Sequence, residues 1–304
     1  MRSGVESRPG PFRCGDNRPL IICASTQAWD AAWFRKQIFM SCLSRRRPVL
    51  YVEPSYSMLR RPEGPEPNPW FRPRVVSRGE NLWTLLPPRG LPFWTHPRVS
   101  RIQYRAWGTM LRREAARLGF SRSWLWIYKP AFIQSVLTLR PARVIFDLVD
   151  DLVAYDASAH SRRTIEICLE EPIAKADLVL TTSPSLAQTY AARTRRGTMP
   201  VVPNGVREEW IDRPAGPEPE DLAGMPHPRL GFVGAVFSYL DYDLLVAVAR
   251  AFPSGSLLVV GPIHEPASAA RLAREPNVHF LGPRPQNAVP GYISWFDVCL
   301  SPFR

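Results

Sequence analysis

No apolar run in the chain approaches the roughly 18 residues that a membrane-spanning helix needs. The N-terminus, MRSGVESRPGPFRCGDNRP, lacks the apolar core of a secretory leader, so residues 1–18 are expected to be a disordered tail of a cytoplasmic protein. The five cysteines (Cys14, Cys23, Cys42, Cys168, Cys299) are odd in number and never spaced C-x-x-C, which argues against a disulfide framework or a zinc site. Cys23 and Cys299 lie in strand-like apolar runs and read as small buried hydrophobes. G-x-G-x-x-G and Y-x-x-x-K are both missing, which weighs against a dinucleotide dehydrogenase or a nucleotide-sugar epimerase. Lysine is scarce: only Lys36, Lys129 and Lys175 among 39 basic residues. Basic patches interleaved with aromatics in an RNA-binding pattern are absent too, so no nucleic-acid partner is expected.

What is present fits a globular chain of about two domains: 304 residues, 45% of them hydrophobic. Charge divides unevenly. Residues 1–206 hold 31 of the 39 basic residues against 16 acidic ones, whereas residues 207–304 hold 8 against 11. The basic excess of the first part suits an anionic membrane surface or a phosphorylated substrate.

Short apolar runs alternate with helix-like stretches. Strands are expected in PLIICA (19–24), PVLYVE (48–53), NLWTLLP (81–87), SWLWIYKP (123–130), ARVIFDLVDD (142–151) and ADLVLTTS (176–183). A helix over 30–46, capped by Asp30, would join the first two as a β-α-β unit. A basic amphipathic helix over 99–118 should end at Gly119. It reads either as a membrane-facing element, together with the aromatics of LPFWTHP (91–97), or as a core helix with a solvated arginine face. The Pro-rich stretch 54–73 is a long loop, and 207–228 reads as a linker. After it, RLGFVGA, SLLVVGP, NVHFLG and DVCLSP are further strands. The pattern predicts two doubly wound parallel sheets: a first domain over 19–206 and a second, begun but unfinished, over 229–304.

In such sheets ligands bind beyond the carboxyl ends of the strands. Ser25, Thr26, Gln27 and Asp30 follow the first strand, where a helix N-terminus would favour anions or hydroxyl-rich ligands. Trp29 and Trp33 read equally as core. Lys129 follows the fourth strand as a phosphate contact or a solvated side chain. Asp147, Asp150 and Asp151 crowd the end of the fifth, where carboxylates could orient hydroxyls or activate a nucleophile. Asp150 or Asp151 could instead cap the next helix. Asn204-Gly205 is a turn, and Gly231 and Gly234 allow close approach to backbone.

WDAAWFRKQ, VLYVEP, NLWTLLPP, LWIYKP, FDLVDD, ADLVLTTSPSLA, VVPNGV, LGFVGAVFSYLDYDLL, LLVVGP and the run from Asn277 to Phe303 occur in an order that resembles GT-B glycosyltransferases. More narrowly, the chain resembles bacterial family-4/group-1 enzymes of the teichuronic-acid branch. The resemblance implies sugar transfer from a nucleotide-diphospho-sugar, UDP- or GDP-linked, to a cell-surface polysaccharide or lipid-linked acceptor. It implies retention at the anomeric carbon and no metal or other cofactor. Asp150 and Asp151 would be catalytic. Trp29, Asp30, Arg35, Lys129 and Asp147 would face the acceptor. Asn204, Gly205, Gly234, Tyr239 and Gly261 would face the donor. The inner membrane face is a further expected contact. Two departures follow: the basic pair many relatives carry after the Gly234 position is missing, and relatives continue past the position of Phe303 to a ribose-binding glutamate. The alternative is therefore an inactive acceptor-binding or partner-dependent remnant.

Overall fold

The computed structural model describes residues 18–58, 68–93, 96–153, 159–211 and 216–303. The tail expected over 1–18 lies outside them apart from Arg18, as do parts of the 54–73 loop, of LPFWTHP and of the 207–228 linker. Two compact units divide the chain, Met1–Gly205 and Val206–Arg304.

The first unit is built on seven strands: β1 (Leu20–Ala24), β2 (Val49–Val52), β3 (Arg74–Gly79), β4 (Leu82–Leu86), β5 (Ser123–Ile127), β6 (Arg143–Leu148) and β7 (Leu178–Thr181). Their order is β3-β4-β2-β1-β5-β6-β7. All neighbours run parallel except β3, which is antiparallel to β4 at the edge. Strands β1, β2 and β4 are buried on both faces, which is why they read as unbroken apolar runs. β3 was not legible as a strand. It is an edge element with polar residues at Arg74, Ser77 and Arg78, and its burial pattern is mixed.

Helices α1 (Arg35–Ser44), α2 (Pro97–Arg117), α3 (Val136–Leu139), α4 (Ala159–Lys175) and α5 (Pro184–Tyr190) accompany this sheet. α1 starts five residues later than the sequence suggests. Asp30 does not cap it; Phe34 holds that position, and its N–H donates to Gln37 Oε1 at 3.1 Å. Ser25 to Asp30 form a turn instead, with the Gln27 N–H donating to Ser25 Oγ at 3.0 Å. α2 buries Tyr104, Trp107, Leu111 and Ala115 in the core. It ends as expected at Gly119 (φ 89°), where the Phe120 N–H reaches back to the Ala115 carbonyl.

The second unit has strands β8 (Arg229–Val233), β9 (Ser256–Val260), β10 (Val278–Gly282) and β11 (Val298–Cys299), all parallel, in the order β10-β9-β8-β11. Helices α6 (Tyr242–Ala251), α7 (Pro266–Leu272) and α8 (Val289–Ile293) accompany them. β11 is an exposed edge, so Cys299 is exposed, contrary to expectation, whereas Cys23 is fully buried.

The described end of the expected linker is folded onto this unit. Leu222 is buried, and the Arg229 guanidinium donates to the Leu222 and Met225 carbonyls and pairs with Glu218 at 2.6 Å. Asp221 accepts from Tyr292 and Arg284 in the same way. Among the described residues no helix is long and apolar enough to cross a membrane.

Candidate functional site

In each sheet the chain reverses its direction of winding at one strand. β1 is flanked by β2 and β5, and β8 by β9 and β11. Neighbouring loops diverge at such points and leave a crevice beyond the carboxyl ends.

At the first of these points the loop after β1 is held rigidly. Ser25 Oγ lies 2.6 Å from Tyr51 Oη, and Tyr51 Oη donates to the Gln27 carbonyl at 3.0 Å. This leaves Gln27 Oε1 buried with no hydrogen-bond partner among the described residues. A buried amide oxygen without a partner costs free energy, so a donor brought to it would be stabilising. Trp29 sits in the core, edge-on to Trp33 and Tyr51 at 5.0 Å each. Asp30 is exposed and pairs with Arg78 at 2.5 Å.

Asp147 does not join a carboxylate cluster with Asp150 and Asp151. It is buried at the end of β6, where Arg35 grips it with Nε to Oδ2 at 3.1 Å and Nη2 to Oδ1 at 3.2 Å. The same guanidinium donates through Nη1 to the carbonyls of Val202 (2.8 Å) and Pro203 (3.1 Å) and to Asn204 Oδ1 (3.4 Å). Arg35 thus ties α1, β6 and the Asn204-Gly205 turn into one clamp. Asp150 stays exposed, and Asp151 Oδ1 accepts the Val153 N–H at 3.2 Å. Lys36, which sequence reasoning passed over, is partly buried beside them. Burial pushes its pKa down, while the charges of Asp150, Cys23 and Asp147 pull it back up. The only sequence signal was its place next to Arg35. Lys129 lies 5.8 Å from the centre of the Tyr104 ring, and burial pushes its pKa down too. Tyr128 is buried, with Lys36 Nζ 5.5 Å from its ring centre, and its phenol is pushed up by burial first and by Asp147 next.

At the second point, Gly234 and Gly261 are a matched pair. The Gly234 N–H donates to the Val260 carbonyl at 2.9 Å. Gly261 has φ 148°, and a Cβ there would lie 1.9 Å from the Gly234 carbonyl oxygen. A Cβ on Gly234 would meet the Phe232 ring at 2.8 Å. Gly261 is thus demanded by backbone packing, and Gly234 by the Phe232 ring beside it. Above them, Phe237 stacks on His264 (4.3 Å, 6° between planes), and Tyr239 lies against Phe237 and Phe303 at 5.3 and 5.8 Å. Tyr239 and Phe303 remain exposed. The N-terminus of α6 is already met by carboxylates: Asp241 accepts the Leu244 N–H at 3.0 Å, and Asp243 lies in the first turn.

No family model matches the chain. It is 28% identical over 195 residues to a Bacillus subtilis (strain 168) protein named as the teichuronic acid biosynthesis glycosyltransferase TuaH, a match covering 60% of this chain and 49% of that one. The chain therefore spans about half the length of this curated relative. Among solved structures, sucrose-phosphate synthase from Thermosynechococcus elongatus superposes with a TM-score of 0.64 at 17% identity, covering 94% of this chain and 77% of that one. Anabaena HepE in complex with UDP-glucose gives 0.57 at 13% identity, covering 92% and 72%. The fold is that of the GT-B glycosyltransferases.

Within this GT-B fold, the expected acceptor-side residues separate by role. Arg35 and Asp147 are spent on each other, and Trp29 is spent on the core. Asp150, Asp151, Lys36 and Gln27 hold groups at the rim of the first sheet. On the expected donor side, Gly234 and Gly261 shape the backbone, Asn204 is tied to Arg35, and Gly205 is exposed with open space around it. Tyr239 is partly exposed, between the Phe237 and Phe303 rings.

Proposed function

We propose that the chain forms the acceptor-binding and donor-binding parts of a glycosyltransferase. The reaction moves a sugar from a UDP- or GDP-linked donor to a cell-surface glycan or a lipid-linked acceptor, with retention and without a metal. The protein acts in the cytoplasm, at or near the inner membrane face. The observation that carries this reading is the reversal of winding at β1 and at β8, with polar groups following β1 and β6 and exposed aromatic rings following β8.

At β1/β5 the acceptor hydroxyl would donate to the exposed Asp150 carboxylate. Lys36 Nζ and the unpartnered Gln27 Oε1 would orient neighbouring hydroxyls. Arg35 and Asp147 act behind this rim as positioning residues, fixing α1 and the 202–204 turn. At β8/β11 the aromatic faces of Tyr239 and Phe303 would cover a sugar or base ring. The departing diphosphate would be met by His264 and by backbone N–H groups of the 235–239 loop. The relatives support this reading in kind: one is named for sugar transfer and one was solved with UDP-glucose.

A second reading is favoured by the same loop. No lysine or arginine occurs from Gly234 to Asp243, and two aspartates occupy the α6 N-terminus. A chain of this kind could hold the acceptor without turning over a donor. Transfer of labelled sugar from UDP- and GDP-sugars to extracted membrane lipid and polysaccharide separates the two. Transfer above a no-enzyme blank establishes the first reading; acceptor binding without transfer establishes the second.

A further inference from the structure

A cavity of about 530 Å³ lies in the first unit, away from the β1/β5 crevice. Its walls are the segments on either side of the β3–β4 pair and one side of α2. Since β4 runs parallel to β2 and β1, the Pro88–Leu91 wall follows the carboxyl end of β4 and lies on the same rim as Ser25 and Asp150. At about 4.8 Å per strand, β4 stands roughly 10 Å from β1. The volume falls within the range of small-molecule sites.

The chemistry of the walls is amphiphilic. Leu91, Trp107 and Met110 line it with apolar side chains, and four arginines line it as well: Arg72, Arg89, Arg113 and Arg117. The one carboxylate, Glu114, is already paired with Arg117 at 2.5 Å. Arg89 lies over the Trp70 ring at 4.2 Å, which fixes its plane. Arg72 and Arg113 have no ion-pair partner among the described residues. Like charges lining one cavity repel one another, and an anion bound among them relieves that repulsion. Guanidinium forks match phosphate oxygens in geometry as well as charge.

The neighbourhood of the cavity is apolar and open. Phe71, on its wall, is 84% exposed, and Phe93 and Ile102 are 74% and 63% exposed. At 100° per residue, Ile102 shares a helix face with Ala106 and Arg113. Large exposed apolar side chains beside a cationic pocket are the composition of a surface that meets a lipid headgroup layer. The net basic charge of this unit complements an anionic leaflet.

We propose that this cavity binds the phosphate head of a membrane lipid, with Arg72, Arg89 and Arg113 on the phosphate and Phe71, Phe93 and Ile102 among the acyl chains. The inference deepens the lipid-linked acceptor reading, because it places a lipid phosphate on the rim that holds Asp150.

The test is vesicle flotation of the full chain, with no sugar donor present. Phosphatidylcholine vesicles containing phosphatidic acid are compared with phosphatidylcholine alone, and inorganic phosphate is titrated by calorimetry. Binding is expected to the phosphatidic acid vesicles only. Arg72→Gln with Arg113→Gln should weaken it about 30-fold, from about 1 kcal/mol per arginine near a charged surface. Arg101→Gln with Arg112→Gln removes the same charge from exposed positions roughly 100–120° around α2 from Arg113, and should weaken it less than about threefold. Equal losses for the two pairs overturn the proposal, since general surface attraction then accounts for binding. Equal binding to phosphatidylcholine alone also overturns it. Displacement from vesicles by millimolar inorganic phosphate overturns the lipid assignment. Because no transfer is measured, a negative result leaves the glycosyltransferase reading standing, and a failed transfer assay leaves this result standing.

Discussion

Arg35 and Asp147, 112 residues apart in sequence, form a bidentate pair whose side chains are 4% and 0% exposed. Two charges removed from water this completely hold each other by necessity, because either one alone would be an unpaired buried ion. The Val202 and Pro203 carbonyls depend on the same guanidinium, so the pair governs where the end of the first unit lies.

Breaking the pair should therefore be costly. Asp147→Asn or Arg35→Met should each destabilise by about 3–5 kcal/mol. The double variant Arg35→Met/Asp147→Leu should lose less than the two singles added together. Urea unfolding of all four proteins gives the coupling, and additive losses would show that the two residues do not act as a pair.

Gly261→Ala should destabilise the protein by about 3 kcal/mol or more, from the left-handed backbone and the clash with the Gly234 carbonyl. Gly205→Ala, with nothing within 4 Å of the new Cβ, should stay within about 0.5 kcal/mol of the parent. Similar thermal shifts for the two variants would contradict the packing account.

Asp150→Ala with Asp151→Ala should lower sugar transfer by about 100-fold or more. The unfolding midpoint should fall far less than for the buried pair, since Asp150 is exposed and Asp151 is only partly buried. Undiminished turnover would falsify their catalytic assignment.

Lys129 provides a pH signature. Burial holds its pKa below the ordinary lysine value, so the folded state gives up this proton before the unfolded state does. Below the folded value both states carry the charge, and burying it costs stability in full. Between that value and the unfolded value near about 10.4, the unfolded state binds more protons, so stability rises with pH. Relative to Lys129→Met, which cannot titrate, the parent should gain stability as pH climbs toward 10. A pH-independent difference in urea midpoints would count against the buried position of this amine.

The strands were legible in the sequence because burial on both faces leaves nearly unbroken apolar runs. LIICA, VLYV and LWTLL carry that signature at each position that matters. Strand β3 was illegible for the converse reason: an edge strand needs little burial, so RVVSRG reads as loop. The helix after β1 was drawn too long because Asp30 looked like a cap, while Ser25, Gln27 and Tyr51 had settled that segment as a turn.

By itself, the sequence determined two largely parallel sheets, the order along the chain of their strands other than β3, and which loops follow the carboxyl ends. Periodicity and apolar burial are local properties, and they are written residue by residue. The tertiary structure alone decided which of those loop residues are free to meet a ligand. Asp147 and Asp150 look alike three positions apart, yet one points inward to Arg35 and the other outward to water. That choice depends on a guanidinium more than a hundred residues away, which no local pattern encodes.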